Sequence, residues 1–495
     1  MRWVSKFYDT KVLLRHLGLI VLTAVVGKAT GGLAMLAVPI LIMMSISGRR
    51  PATVAFWVLL STFTCQASRR LFSVTFPAVM SVRGGLVLLA VMLTGGLMAG
   101  LSRKSGRSLA PFLGMMAYIL AAFVSSLLGW APVVSILKII LFVLIYIGLM
   151  GAASFASSLK KITLRQLRSV ILSILAFVVI GSVLVIPFGF GMMSGEDAAR
   201  ALRMDSGASL FMGMTCQAQV LGATGGIVGT FIFADLVFSI KKWDRFYVLM
   251  LLSCPLLIYR SSCRTGMGTL IAGWGLVILL AMQARGLGAR WKGKLTSLAV
   301  LVAVVGGIAI VAIPSVRLKA IQYVVKYDKS DDAEITKEAV MSSRQGKIDA
   351  TIENFLKSPV FGNGFQVTEG MSGPRGGGLM SYLSAPMEKG TWVVAVPEET
   401  GIVGMLILCG WILALFFTLI RLRAYIGLCV FWAFLTSNLG EFTMFSMTYT
   451  GAFYWALVFF GVAMDVLRER EAREARQMAM GMDMWVRGRV WRRGR

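Results

Sequence analysis

The chain has 495 residues, of which 57% are hydrophobic and only 15% are charged. Soluble domains carry about 25% charged residues, so the composition excludes an ordinary soluble protein. A net charge of +27 would suggest nucleic-acid binding in a soluble chain. Here much of the Lys and Arg content lies in short segments between apolar runs, as in the cytoplasmic loops of membrane proteins. We therefore expect no nucleic-acid partner.

The apolar runs are long and continuous, which predicts an all-α polytopic membrane protein. A helix needs roughly 17–25 apolar residues to cross about 30 Å of hydrocarbon, and the runs do not alternate as barrel strands do. We predict about 12–14 transmembrane helices. They lie near residues 12–27, 30–46, 52–68, 86–101, 109–128, 131–151, 169–187, 219–240, 246–259, 266–284, 296–314, 400–420, 424–438 and 449–464. Gly129-Trp130 predicts a tight turn between two of these spans.

The spans and polar segments divide the chain into four regions. Residues 1–314 form an N-terminal bundle of about 11 spans. Residues 315–398 form one large extracytoplasmic loop between the late spans, with a helix from Glu334 to Lys357, and residues 399–466 return to transmembrane helices. Residues 467–495 are a basic tail, expected to lie as an interfacial helix on anionic lipid. Binding of a protein partner is the alternative for this tail.

Basic segments set the orientation. In this arrangement of spans the basic segments all fall on one side of the membrane: Arg49-Arg50, Arg103–Arg107, Lys160–Arg168, Lys241-Lys242, Arg285–Lys294 and Arg421–Arg423. The positive-inside rule makes that side cytoplasmic, together with both termini. We therefore expect a multi-pass protein of the bacterial inner membrane.

Several cations fall at the opposite, extracytoplasmic ends of spans, where short translocated segments usually avoid positive charge. A guanidinium offers a planar fork of donors that suits phosphate oxygens, so these arginines predict a site for a lipid-linked diphosphate. The alternative is arginines that snorkel at helix ends. Lys138 lies within a span and is either a further ligand or a buried structural partner. The candidate arginines are Arg69, Arg70, Arg203, Arg260 and Arg264.

Three acidic residues stand out near the ends of spans. Glu388 and Glu399 precede a late span, where a carboxylate serves as a general base or caps the helix N-terminus. Capping is the slightly favoured interpretation of Glu399, and Glu388 is the more open case. Asp235 lies within an apolar run and is expected to pair with Lys241 and Lys242.

The histidine and cysteine content excludes some reaction mechanisms and some kinds of site. His16 is the only histidine, which excludes any mechanism that needs a histidine pair. The six cysteines show no metal-ligand spacing and suggest no disulfide framework. We expect neither a metal nor a cofactor.

Three segments follow one another in the second half of the chain: Ser261–Gly266 opens a span, Arg344–Phe365 ends in Ser-Pro-x-Phe-Gly-x-Gly-Phe, and Glu398–Gly404 begins the span after the large loop. Together they resemble motifs of the bacterial O-antigen ligase and O-antigen polymerase superfamily. The closely similar part covers about Leu251–Ile420. A fainter fourth element lies at Arg203 and at Gln217–Gly222.

The resemblance implies a metal-independent transferase that moves a glycan from undecaprenyl diphosphate to an acceptor on the periplasmic face. By the same resemblance Arg203 and Arg264 would bind and stabilise the diphosphate leaving group. Arg344 would position the loop or the donor. Partners would be the lipid-linked oligosaccharide, membrane lipids and other polysaccharide-assembly proteins.

One departure from the family bears on which activity is expected. Ligases commonly carry a histidine in the large loop, and Gly390 falls near that position here. The sequence therefore favours an O-antigen or exopolysaccharide polymerase over a lipid A–core ligase, with Glu388 as the substitute base. The alternatives are an O-antigen ligase and, in other classes, a flippase for lipid-linked glycans or a structural assembly protein.

Overall fold

A computed structural model describes residues 7–29, 37–67, 109–158, 162–192, 211–284, 291–294, 297, 345–369, 389–447 and 450–493. Within these ranges the chain is helical, and pairing between extended segments is limited to two isolated bridges. The principal helices are α1 Thr10–Ala29, α2 Ala37–Ser47, α3 Pro51–Thr64, α4 Met115–Leu128, α5 Pro132–Ser158, α6 Leu164–Val185, α7 Ala218–Asp235, α8 Arg245–Arg260, α9 Arg264–Gln283, α10 Gln345–Lys357, α11 Trp392–Arg421, α12 Tyr425–Ser437 and α13 Thr450–Arg493.

Seven of the described helices are long and apolar enough to cross a membrane. They confirm the predicted class, an all-α polytopic membrane protein. The tight turn predicted at Gly129-Trp130 lies between α4 and α5, and α10 covers the described part of the helix expected in the large loop. One boundary differs: α11 begins at Trp392, before the predicted end of the loop, because the Thr391 hydroxyl accepts from the Val393 amide and starts the helix there.

The packing centre of the bundle is α7, whose residues except Gln219 are all buried, and which contacts α8, α9 and α12. Small residues let α7 and α9 approach at backbone distance, as is common between membrane helices. A Cβ on Gly266 would lie 2.2 Å from the Gly222 carbonyl oxygen, and one on Gly273 would lie 2.0 Å from the Thr230 hydroxyl. Glycine at these positions therefore sets the spacing of the two helices.

Buried charges hold one end of the bundle together. Asp235 at the end of α7 accepts from Arg168 Nε at 2.9 Å and from the Tyr247 hydroxyl. The partner of Asp235 thus comes from the first turn of α6, whereas the sequence favoured the adjacent lysines. Asp465 of α13 accepts from the amides of Ile426 and Gly427 and so satisfies the N-terminus of α12.

The last span continues into the tail as one helix of 44 residues, α13. At 1.5 Å per residue this helix is about 66 Å long, roughly twice the thickness of the hydrocarbon core. Arg470 donates to the carbonyls of Ser157 and Ile162, which fixes the extension against the connection between α5 and α6. The basic tail is thus helical and continues α13 without a break at Leu467, and its expected position on anionic lipid stays a prediction.

Because α7 and α9 touch at Gly266, adding a methyl group there should lower the stability more than adding one at an open position of α9. Gly266→Ala should destabilise the protein by about 1–3 kcal/mol, because the new methyl group overlaps the Gly222 carbonyl. Gly268→Ala is the matched control on the same helix, since a Cβ there meets nothing within 4 Å. Thermal unfolding in detergent measures the difference, and equal melting temperatures for the two variants would contradict this packing.

Candidate functional site

A loop segment, Ser358–Val367, inserts into the end of the bundle between α4, α5 and α11. We call it the docked segment; its residues 362–367 are buried. It follows α10 directly, and Pro359 turns the chain inward. Phe365 at its centre packs against Phe142 and Phe445. The segment with Gly362 and Gly364 is therefore part of the helical bundle.

The docked segment replaces hydrogen bonds that α11 loses at a break. Gly401 has φ 67° and ψ −174°, so the helical bonds that Ile402 and Val403 would make to Glu398 and Glu399 are interrupted. The Glu398 and Glu399 carbonyls instead accept from Asn363 N at 2.8 Å and Gly364 N at 3.1 Å. Ile402 N donates to the Pro359 carbonyl at 2.9 Å. Two of the three predicted motifs are thus complementary halves of one structure.

Glycine is required where these backbones meet. A Cβ on Gly401 would lie 2.0 Å from the Val360 carbonyl oxygen, and one on Gly362 would lie 2.4 Å from the Thr400 amide nitrogen. Both glycines also have positive φ, at 67° and 75°, a region that other residues enter only at a cost. Any side chain at either position would push the docked segment away from α11.

Hydroxyl groups of α4 and α5 hold the other side of the docked segment. Ser125 donates to the Glu399 carbonyl and accepts from the Gly364 amide. Ser135 donates to the Phe365 carbonyl at 2.8 Å and exchanges a hydrogen bond with Ser126 at 2.6 Å. These bonds satisfy backbone groups that have little access to water at this depth.

A buried cluster of charges lies beside the docked segment. The Lys389 ammonium is 3.0 Å from Glu398 and 3.1 Å from Glu399, and all three side chains are at most 3% exposed. Asn354 of α10 donates to Glu398 at 3.1 Å. Lys138 of α5 donates to the Gln366 carbonyl at 2.8 Å. We call Lys138, Lys389, Glu398 and Glu399 the ion cluster.

The charges of the ion cluster balance, with two ammonium groups and two carboxylates. Balance is needed because a lone ion in such a buried place would cost several kcal/mol. The Gln366 backbone lies between the two halves, since its carbonyl binds Lys138 and its amide faces Glu399. The cluster can therefore hold the docked segment in place by charge.

The third motif, at Ser261–Gly266, forms the turn between α8 and α9. Ser262 adopts a left-handed conformation with φ 52°, and the Cys263 thiol caps α9 by accepting from Gly266 N. Gly266 contacts Gly222 near the start of α7, and Thr224 of α7 shares a hydrogen bond with Tyr454 near the start of α13. Trp392 N donates to the Asn438 carbonyl in the connection that precedes α13. These contacts place the turn at the same end of the bundle as the ion cluster.

The structure brings together some of the predicted site residues. Lys138 and Glu399 meet in the ion cluster, while Arg260 and Arg264 belong to the α8–α9 turn, where Arg260 is exposed and Arg264 half-buried. The other five candidates lie outside the described residues: Arg69, Arg70, Arg203, Arg344 and Glu388.

Glu399 does not cap α11, although the sequence slightly favoured that role. The cap is Thr391, and the Glu399 carboxylate is fully buried against Lys389. The Glu399 side chain is 0% exposed, and its backbone carbonyl accepts from Gly364 of the docked segment. A role for Glu399 as a general base stays a prediction.

Lys389 and Glu398 were missed as site residues. They are separated by nine positions and meet because Gly390, with φ 85°, turns the chain immediately before α11. The available signal was a lysine preceding an apolar helix that contains two adjacent glutamates, since charge in such a helix demands a partner.

No family match identifies this chain, and its described residues offer no metal site. The chain matches none of the models of known protein families and none of the curated proteins with which it was compared. Among the described residues, no group of three His, Cys, Asp or Glu side chains is arranged to hold a metal ion. The expectation of metal-independent chemistry stays a prediction.

The ion cluster predicts that loss of its shared lysine is costly. Lys389→Met should destabilise the protein by about 3–5 kcal/mol, because it leaves two carboxylates buried without their cation. The triple variant with Glu398→Gln and Glu399→Gln should recover most of this loss. Chemical unfolding in detergent measures each free energy.

The matched control is Lys357→Met, which breaks an exposed lysine–glutamate pair in the same loop, with Glu369 63% exposed. A surface pair is worth at most about 1 kcal/mol. If Lys389→Met were no more destabilising than Lys357→Met, the cluster would not hold the docked segment.

Proposed function

We propose that the protein is a membrane glycosyltransferase that polymerises oligosaccharide repeats carried on undecaprenyl diphosphate. One observation carries this proposal: the Ser-Pro-x-Phe-Gly-x-Gly-Phe segment replaces the broken helical bonds of the Glu398–Gly404 segment. Two short motifs that resemble the O-antigen ligase and polymerase superfamily are thereby interdependent in space. An accidental resemblance gives no reason for that fit.

The proposed reaction takes place at the end of the bundle that carries the docked segment. Arg264 of the α8–α9 turn and Arg203 are the principal ligands of the donor diphosphate, and Arg260 of the same turn supports them. A hydroxyl of the acceptor glycan attacks the anomeric carbon, the bond to the diphosphate oxygen breaks, and undecaprenyl diphosphate leaves with its electron pair. Guanidinium charge stabilises that leaving group.

The proton of the attacking hydroxyl passes to a base in the large loop, for which Glu388 is the candidate. Its neighbour Lys389 is locked in the ion cluster. The cluster therefore fixes the point at which the loop joins α11 and so restricts where a base on residue 388 can reach. In this proposal Lys138 and Glu399 position the loop and Arg344 orients the donor.

The same proposal covers the number of spans, their orientation and the membrane in which they lie. It includes about 12–14 spans in the bacterial inner membrane, cytoplasmic termini and a large extracytoplasmic loop. The distribution of Lys and Arg supports the orientation, and the half-buried site suits a donor with its polyprenyl tail in the bilayer. Membrane lipids and other polysaccharide-assembly proteins are the proposed partners.

One observation favours the flippase alternative: ionised groups buried in a helical bundle often line transport pathways, and the ion cluster contains four. Its lysines and carboxylates already neutralise one another, which argues for structural pairing. An O-antigen ligase is the other alternative, and it differs from a polymerase only in the acceptor.

The proposal predicts that Arg264 is needed for turnover. In liposomes that contain undecaprenyl-diphosphate oligosaccharide, Arg264→Gln should slow glycan transfer by about a hundredfold or more, since it removes charge at the leaving group. The assay measures released undecaprenyl diphosphate together with the length of the glycan. Arg245→Gln is the matched control, because Arg245 is an exposed arginine at the other end of α8.

The products distinguish the three hypotheses. Growth by whole repeats on a lipid-linked acceptor supports the polymerase, and transfer that requires added lipid A–core supports the ligase. Movement of intact donor across the bilayer without release of undecaprenyl diphosphate would reject both enzymes. Undiminished chain growth by folded Arg264→Gln would reject the arginine assignment.

A further inference from the structure

A cavity of about 200 Å³ opens at the opposite end of the bundle and is lined by three arginines: Arg15 of α1, and Arg49 and Arg50 between α2 and α3. Its remaining wall comes from the first turn of α3 and from the start of α6. Helix α5 separates the two ends: the docked segment lies at its start, and Ile162 of the cavity follows its end. With 27 residues, α5 spans about 40 Å.

The cationic groups of this cavity have no anionic partner in the described part of the chain. No carboxylate there lies within ion-pair distance of the three arginines, and their side chains are exposed. Two acidic side chains bond to backbone amides in or near the lining instead of to these arginines. Asp9 accepts from the amides of Lys11 and Val12, and Glu471 accepts from the amide of Leu164.

The polar backbone of the cavity adds to its positive potential. Helix α3 begins at Pro51 with no side-chain cap, so the positive end of its dipole faces the cavity. Gln166 is held by a capping box in which its Oε1 accepts from Thr163 N at 3.2 Å. That bond orients the side-chain amide and leaves its Nε2 donor for a ligand.

The apolar surroundings indicate where the rest of a ligand would lie. Val12, Pro51, Ala52 and Ile162 form the apolar part of the lining. From Arg15, α1 continues with an exposed apolar stripe at helical spacing that suits an acyl chain. This stripe consists of Leu14, Val21, Leu22 and Val25, each at least 52% exposed.

We propose that this arginine cavity binds the phosphate headgroup of an anionic membrane lipid. Arginine forks match phosphate oxygens in geometry and charge, and the stripe on α1 takes the acyl chain. A free phosphate ion would use the arginines without using the stripe, so the stripe favours a lipid. The site is separate from the proposed glycosyltransferase site and does not depend on that activity.

The test uses the purified full chain in detergent with added phosphatidylglycerol, phosphatidylcholine or inorganic phosphate. Native mass spectrometry counts bound lipid, and a thermal melt reports stabilisation. Phosphatidylglycerol should bind and raise the melting temperature of the wild type. Arg15→Gln and the double variant Arg49→Gln/Arg50→Gln should each weaken its apparent affinity by about tenfold or more, since each loses a charge-assisted hydrogen bond.

The matched control is Arg421→Gln, which removes an exposed arginine from the end of α11 on the same side of the bundle. It should bind phosphatidylglycerol as the wild type does. The proposal is overturned if Arg421→Gln loses as much affinity, if the cavity variants bind normally, or if inorganic phosphate or phosphatidylcholine is as effective. Because the lipid count is taken on folded protein, a less stable variant still separates these outcomes.

Discussion

The break in α11 at Gly401 leaves backbone groups without helical partners deep in an apolar bundle, where water does not replace them. The docked segment supplies the missing partners, and its own amides are satisfied in return. Serines of α4 and α5 complete the exchange from the other side. The position of the large loop therefore follows from a local hydrogen-bonding requirement.

The ion cluster strengthens the contact between the docked segment and α11. Lys389 reaches both Glu398 and Glu399 because the chain turns at Gly390, and Lys138, which donates to the Gln366 carbonyl, brings the total charge of the cluster to zero. Buried ion pairs contribute little net stability, yet they are costly to break. Such a cluster favours one position of the loop over others, which is what an enzyme needs if the base and the diphosphate site lie on different elements.

The sequence predicted the features that depend on local pattern. Apolar runs predicted the membrane helices, and the turn at Gly129 lies where expected because glycine there meets the Asn363 carbonyl, 2.3 Å from a would-be Cβ. Partners distant in the chain were not predictable. Asp235 pairs with Arg168, 67 residues away, although two lysines follow it closely.

The start of α11 shows the same limit. The sequence predicted a loop as far as residue 398, but the helix already begins at Trp392. Glu398 and Glu399 can be buried because Lys389 pairs with both carboxylates and Asn354 donates to Glu398. Sequence pattern alone predicts that charged residues lie at the surface. Here contacts that form only in the folded chain allow them to be buried.

We propose that the α8–α9 turn and the docked segment face the extracytoplasmic side. Alkaline phosphatase, which is active only outside the cytoplasm, tests it directly when fused after Gly266 and, in a second fusion, after Lys242. We expect an active enzyme at Gly266 and an inactive one at Lys242. The reverse pattern would place the arginines of the turn in the cytoplasm, away from any externally presented donor, and would contradict the claim.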